Sequence, residues 1–123
     1  MNFKPVHMNI NVMNLEKSEA FYKENLGMHE TRRKTASDGS FELVYLSDEN
    51  NSFELELTYL KDRTEPYDLS DNEIHLAFVT DNYEEALSKH QANGVVSMVN
   101  EKMGIYFIED PDGYWIEIIP AKK

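Results

Sequence analysis

Cysteine is absent from this 123-residue chain, and with it go disulfides, thiolate metal sites and cysteine nucleophiles. Any chemistry has to use oxygen and nitrogen groups. Cations are also scarce: 12 Lys and Arg stand against 23 Asp and Glu, a formal net charge of -11. Such a surface repels phosphate backbones and anionic lipid, so nucleic acid and membranes are not expected as partners. Long apolar runs are missing too, and no window approaches the roughly 20 residues that a membrane span requires. The opening Met1-Asn2-Phe3-Lys4-Pro5 has no apolar stretch behind its lysine, and a cytoplasmic location is expected.

What is present is a single-domain length. A chain of this size buries roughly two thirds of the surface its unfolded form exposes, enough for a core without a structural metal. Within it, two stretches align around histidines. Val6 to Val12 and Ile74 to Thr80 are both rich in apolar and β-branched residues, as half-buried strands are, and hold His7 and His75 at the same place. Seven residues after each histidine stands an asparagine, Asn14 and Asn82, whose side-chain oxygen suits the first turn of a helix. Leu15, Tyr22 and Leu26 mark the apolar stripe of the first helix, and Tyr83, Ala86, Leu87 and His90 that of the second. Gly27 and Gly94 supply the stops.

Three short strand-like runs follow each helix: about 30–35, 42–47 and 53–59, then 95–99, 105–109 and 114–119. The last two runs of each copy are joined by turn-rich segments, Asp48-Glu49-Asn50-Asn51-Ser52 and Asp110-Pro111-Asp112-Gly113. The predicted fold is α+β, two βαβββ modules in one domain spanning 1–123. Module one covers about 1–60, a linker about 61–72, and module two about 73–123.

Just beyond each turn a carboxylate sits between apolar neighbours, as Leu55-Glu56-Leu57 and Ile116-Glu117-Ile118. Side chains alternate along a strand, so burying the neighbours turns Glu56 and Glu117 to the opposite face. The repeat thus supplies two imidazoles and two carboxylates, His7, Glu56, His75 and Glu117. That set suits a borderline divalent ion such as nickel, cobalt, zinc or iron better than calcium or magnesium. Four protein ligands close a tetrahedral zinc site, but in an octahedron they leave two positions for water or substrate. Taken singly, a strand histidine is more often packing, and an alternating glutamate usually faces solvent. His29 and His90 have no repeat counterpart of the same type and are read as structural. Asp110 and Asp112 are read as tight-turn residues.

The residues that carry a family likeness are the His7 strand, Phe21-Tyr22, Asn25-Leu26-Gly27-Met28, Glu56-Leu57-Thr58-Tyr59, His75, and Glu109-Asp110-Pro111-Asp112-Gly113-Tyr114 leading to Ile116-Glu117. Over nearly its whole length the chain resembles the glyoxalase I (lactoylglutathione lyase) family of the vicinal oxygen chelate superfamily. The resemblance implies paired βαβββ modules forming a cupped mixed sheet around one divalent ion, nickel before cobalt or zinc. It implies a homodimer, often with the metal site shared between subunits, and isomerisation of the hemithioacetal of methylglyoxal and a thiol to a lactoyl thioester. Glu117, then Glu56, is implied as the base. Family members commonly place Arg four residues after the first histidine and Asn after the Thr-Tyr pair, both toward glutathione. Here Asn11 and Leu60 stand there, Asn11 is expected in the substrate site, and a thiol other than glutathione becomes an option. Two other readings stay open on the same fold: a metal-dependent transferase or hydrolase acting on an antibiotic such as fosfomycin, and a metal-free drug-binding protein. An iron dioxygenase is more remote, because a second carboxylate ligand occupies a position that oxygen would use.

Overall fold

The computed structural model describes residues 1–121. Its elements run β1 (His7–Asn11), α1 (Leu15–Leu26), β2 (His29–Thr35), β3 (Phe41–Ser47), β4 (Glu54–Leu60), β5 (Leu76–Thr80), α2 (Tyr83–Ala92), β6 (Val96–Asn100), β7 (Ile105–Glu109) and β8 (Trp115–Pro120). The chain divides after Tyr67 into two compact units. Each contains one βαβββ set.

In the first unit the sheet order is β1-β4-β3-β2. β1 lies parallel to β4, with His7 opposite Glu54 and Asn9 opposite Glu56. The remaining neighbours are antiparallel, and Tyr45 of β3 stands opposite Glu56 of β4. β2, at the edge, is exposed along its length and carries Arg32, Arg33 and Lys34, charges that discourage another strand from adding to the ladder. The core is built where alternation requires it: Val44, Leu55 and Leu57 are essentially inaccessible, and helix α1 turns Leu15, Phe21 and Tyr22 inward at helical spacing. Burying each such aliphatic side chain contributes about 1.5–3 kcal/mol.

The second unit repeats the pattern as β5-β8-β7-β6. Its core is made by Tyr106, Ile108, Ile116 and Ile118. Ala77 of β5 and Phe107 of β7 flank Glu117 on either side, as Asn9 and Tyr45 flank Glu56. The modules are those expected from the repeat, with one difference. The second histidine strand begins at Leu76, so His75 precedes it rather than lying within it. The ladder to β8 opens at Leu76 opposite Ile116, one pair short of the place equivalent to His7 opposite Glu54.

Both helices start as their asparagines dictate. The side chain of Asn14 accepts from the Lys17 amide at 3.0 Å, and that of Asn82 from the Glu85 amide at 3.2 Å. Gly27 ends α1 at φ +66°, a left-handed conformation that only glycine enters without cost, and donates to the carbonyl of Lys23. Among the described residues no helix is long and apolar enough to cross a membrane.

Candidate functional site

Each unit presents one histidine and one glutamate side by side. On β4 the alternation that buries Leu55 and Leu57 leaves Glu56 on the other face, with a side chain 14% exposed. His7, at the start of the neighbouring strand, brings Nε2 within 3.7 Å of Glu56 Oε1. In the second unit Ile116 and Ile118 are buried, and Glu117 faces away from them. His75 Nε2 lies 3.0 Å from Glu117 Oε1. The structure thus joins the four sequence-predicted ligands as two pairs, one in each unit.

The spacing within each pair suits a shared ion. Two donors can reach one metal when they stand no farther apart than two bond lengths, about 4.2 Å for imidazole nitrogen and carboxylate oxygen. Both separations satisfy this. Within either unit the grouping stops at two, since among the described residues no three His, Asp or Glu side chains cluster as a ligating group.

An aromatic ring stands against each histidine. His7 meets Tyr45 edge-on with centroids 5.8 Å apart, and His75 meets Phe107 edge-on at 5.2 Å. Such contacts limit how the imidazole can turn. The Tyr45 hydroxyl also donates to Glu56 Oε2, and this bond, with burial added, holds the phenol above its usual pKa. Arg32 lies 3.7 Å over the Tyr45 ring and bridges to Glu54 at 3.0 Å. The Arg32 hydrogen bond, with one from Thr31, holds the Glu54 carboxyl below its usual range. Tyr45 and Asn9 are absent from the sequence reading of the site. Tyr45 could have been found by carrying the alternation of β4 across the hairpin to β3.

Asn11 stands on the same face of β1 as His7 and Asn9, beside Thr58 of β4, and its side chain is 2.9 Å from that of Asn9. Leu60 ends β4 and is 38% exposed. The residues set aside as structural have partners elsewhere. His90 is buried with Nδ1 2.7 Å from the Tyr106 hydroxyl, and exposed His29 meets Asn51 at 2.9 Å. Asp110 closes its own turn, its Oδ1 accepting from the amides of Asp112 and Tyr114 at 2.9 Å each. A cavity of about 390 Å³ in the first unit is lined by Met13, Asn14, Glu16, Arg33, Glu42 and Tyr59, among others.

Fold and paired sites define the class. Residues 4–118 match the model of the Glyoxalase/Bleomycin resistance protein/Dioxygenase superfamily, and the chain belongs to that superfamily. Within it the similarity is to glyoxalase I. The chain is 42% identical to a lactoylglutathione lyase of Neisseria meningitidis, covering 96% of this chain and 91% of that one. It is 34% identical to a lactoylglutathione lyase of Salmonella typhimurium, over 95% and 92%. Among solved structures, the trypanothione-dependent glyoxalase I of Leishmania major superposes with a TM-score of 0.85 at 31% identity, over 97% of this chain and 87% of that one. Glyoxalase I from Zea mays gives 0.80 at 26%, over 98% of this chain and 45% of the longer plant protein. The protein is a glyoxalase I-like enzyme of the lyase class.

Proposed function

We propose that His7, Glu56, His75 and Glu117 together hold one divalent ion, and that the enzyme isomerises the hemithioacetal of a 2-oxoaldehyde such as methylglyoxal and a small thiol to the 2-hydroxyacyl thioester. The observation that carries this reading is the repeated His–Glu pair, at 3.7 Å in one unit and 3.0 Å in the other, in a chain similar throughout its length to lactoylglutathione lyases. Imidazole and carboxylate donors favour borderline ions, with nickel ahead of cobalt and zinc. Such an ion supplies Lewis acidity, lowering the energy of negative charge on the two adjacent substrate oxygens.

The chain's own residues do the rest. Glu117 takes the proton from the carbon that bears sulfur, and the bonding electrons move into a double bond toward the neighbouring carbonyl carbon. The same carboxyl returns the proton to that neighbouring carbon, while the hydroxyl proton on the first carbon is lost to leave a thioester carbonyl. The second oxygen gains a proton and becomes the product hydroxyl. Atoms and electrons balance without an oxidant or a second substrate. Glu56 is the other carboxylate within reach of this chemistry. Asn11, on the same face of β1 and opposite Thr58, offers an amide to the thiol portion of the substrate. The resemblance to glyoxalase I further supports a cytoplasmic homodimer.

The test is metal content and isomerase activity of stripped protein after adding nickel, cobalt or zinc, with hemithioacetals of glutathione and other small thiols. Activity that returns with metal and is lost in Glu117→Gln is the expected result. Failure to bind metal stoichiometrically would sink the proposal.

A further inference from the structure

The two glutamates occupy equivalent places in the repeat but have unlike neighbours. On either side of Glu56 stand Tyr45 and Asn9, with Thr58 next along β4 on the same face. The Tyr45 hydroxyl donates to Oε2. With its amide nitrogen turned toward Glu56, Asn9 donates to Oε1 at 3.0 Å and to the Thr58 hydroxyl, while its oxygen comes to face the Asn11 side chain at 2.9 Å. Arg32, stacked on the Tyr45 ring and bridged to Glu54, keeps that phenol in place. Around Glu117 the same three positions are Phe107, Ala77 and Ile119, none of which has a side-chain donor. The nearby Trp115 indole spends its N–H on Glu109 Oε1 at 3.1 Å. Among the described residues, His75 alone bonds the Glu117 side chain.

We infer that Tyr45 and Asn9 are positioning residues that fix Glu56 as a permanent ligand and so leave the moving, proton-carrying role to Glu117. A carboxylate held at both oxygens loses the freedom to swing away from an ion and back. One held only through a histidine that is itself a ligand keeps it. The inference rests on the reading that both glutamates serve one metal. It adds which chain residues divide the labour between two otherwise identical groups. Groups that hold a ligand in this way typically change metal affinity or activity by 10–100-fold when removed.

The experiment uses the full-length protein loaded with cobalt, followed by its visible absorption and by the rate at which a chelator removes the ion. Tyr45→Phe keeps the ring and its packing and removes only the hydroxyl; Asn9→Ala, at an exposed position, removes the second hold. The expected result is release at least about tenfold faster in Tyr45→Phe, with a shifted cobalt spectrum and an unchanged melting temperature. In the Glu117→Gln background, adding Tyr45→Phe should raise the residual isomerase activity, because Glu56 is then free to move a proton. Release rates and spectra in Tyr45→Phe and Asn9→Ala that match the parent would overturn the inference while leaving the metal site standing. A parent protein that takes up no cobalt would instead overturn the proposed function itself.

Discussion

His90 Nδ1 faces the Tyr106 hydroxyl at 2.7 Å inside the second unit, with the two side chains 2% and 0% exposed. Burial first, and then the neighbouring Tyr83, push the Tyr106 phenol well above its ordinary pKa. A group whose folded pKa is raised favours the fold below its unfolded value, near pH 10, and that contribution is lost as pH climbs toward the folded value. Tyr106→Phe removes the hydroxyl that faces His90 and should cost about 1–3 kcal/mol at neutral pH. It should also make stability fall less steeply above pH 10. Urea titrations at pH 8 and pH 11 check this, and equal alkaline losses in both proteins would refute it.

Replacing a proton-carrying carboxylate is the sharpest test of the chemistry. Glu117→Gln is expected to lower kcat by roughly 10²–10⁴-fold, the usual range for a general base. His7→Ala and His75→Ala remove a nitrogen donor each and should reduce nickel stoichiometry in equilibrium dialysis. A Glu117→Gln enzyme as fast as the parent would remove that residue from the proton step.

Arg33 gathers three carboxylates: Glu19 at 2.6 Å, Glu42 at 2.7 Å and Glu30 at 2.9 Å. Its hydrogen bond holds the Glu30 carboxyl below the usual range, whereas burial outweighs the same guanidinium at Glu19 and raises that one. For Glu30 the stabilisation is present above its unfolded pKa, about 4.3, and fades as pH falls further. Arg33→Met should cost on the order of 1 kcal/mol at pH 7. Chemical denaturation at pH 3.5 should show a smaller loss, and a loss independent of pH would show that packing of the side chain, not its charge, matters.

Asn11 is the position at which to ask about the thiol. Asn11→Arg would restore a cation able to pair with a glutathione carboxylate, worth roughly 1.5–3 kcal/mol. The KM for the glutathione hemithioacetal should fall by about ten- to a hundredfold on that basis, while a thiol lacking carboxylates gains nothing. Identical KM changes for both thiols would mean that Asn11 does not face the thiol portion.

Much of this was legible in the chain because the repeat makes two independent statements of one pattern. Asn14 and Asn82 announced the helices, and the Leu-Glu-Leu and Ile-Glu-Ile runs announced which carboxylates leave the core. The run from Ile74 to Thr80 starts two residues before β5 does, because pattern alone cannot register where a ladder begins; the first pair of this one is Leu76 with Ile116. Tyr45 escaped for a related reason. Its relation to Glu56 depends on cross-strand register, which the turn between β3 and β4 sets and composition does not. Asn9 carries no signal in the sequence, and its relation to Glu56 exists only through the pairing of β1 with β4.

The parallel pairing of β1 with β4, and of β5 with β8, has a kinetic meaning. Each unit seals itself by joining its first strand to its last, so His7 waits for Glu54 and Leu76 waits for Ile116. Contacts so far apart in sequence form late, because the intervening loop must be closed before they return any energy. On the ribosome, β1 therefore stays unpaired until β4 has emerged, at which point the described ladders of the first unit can all form. Synthesis can finish the His7–Glu56 pair before His75 has been translated.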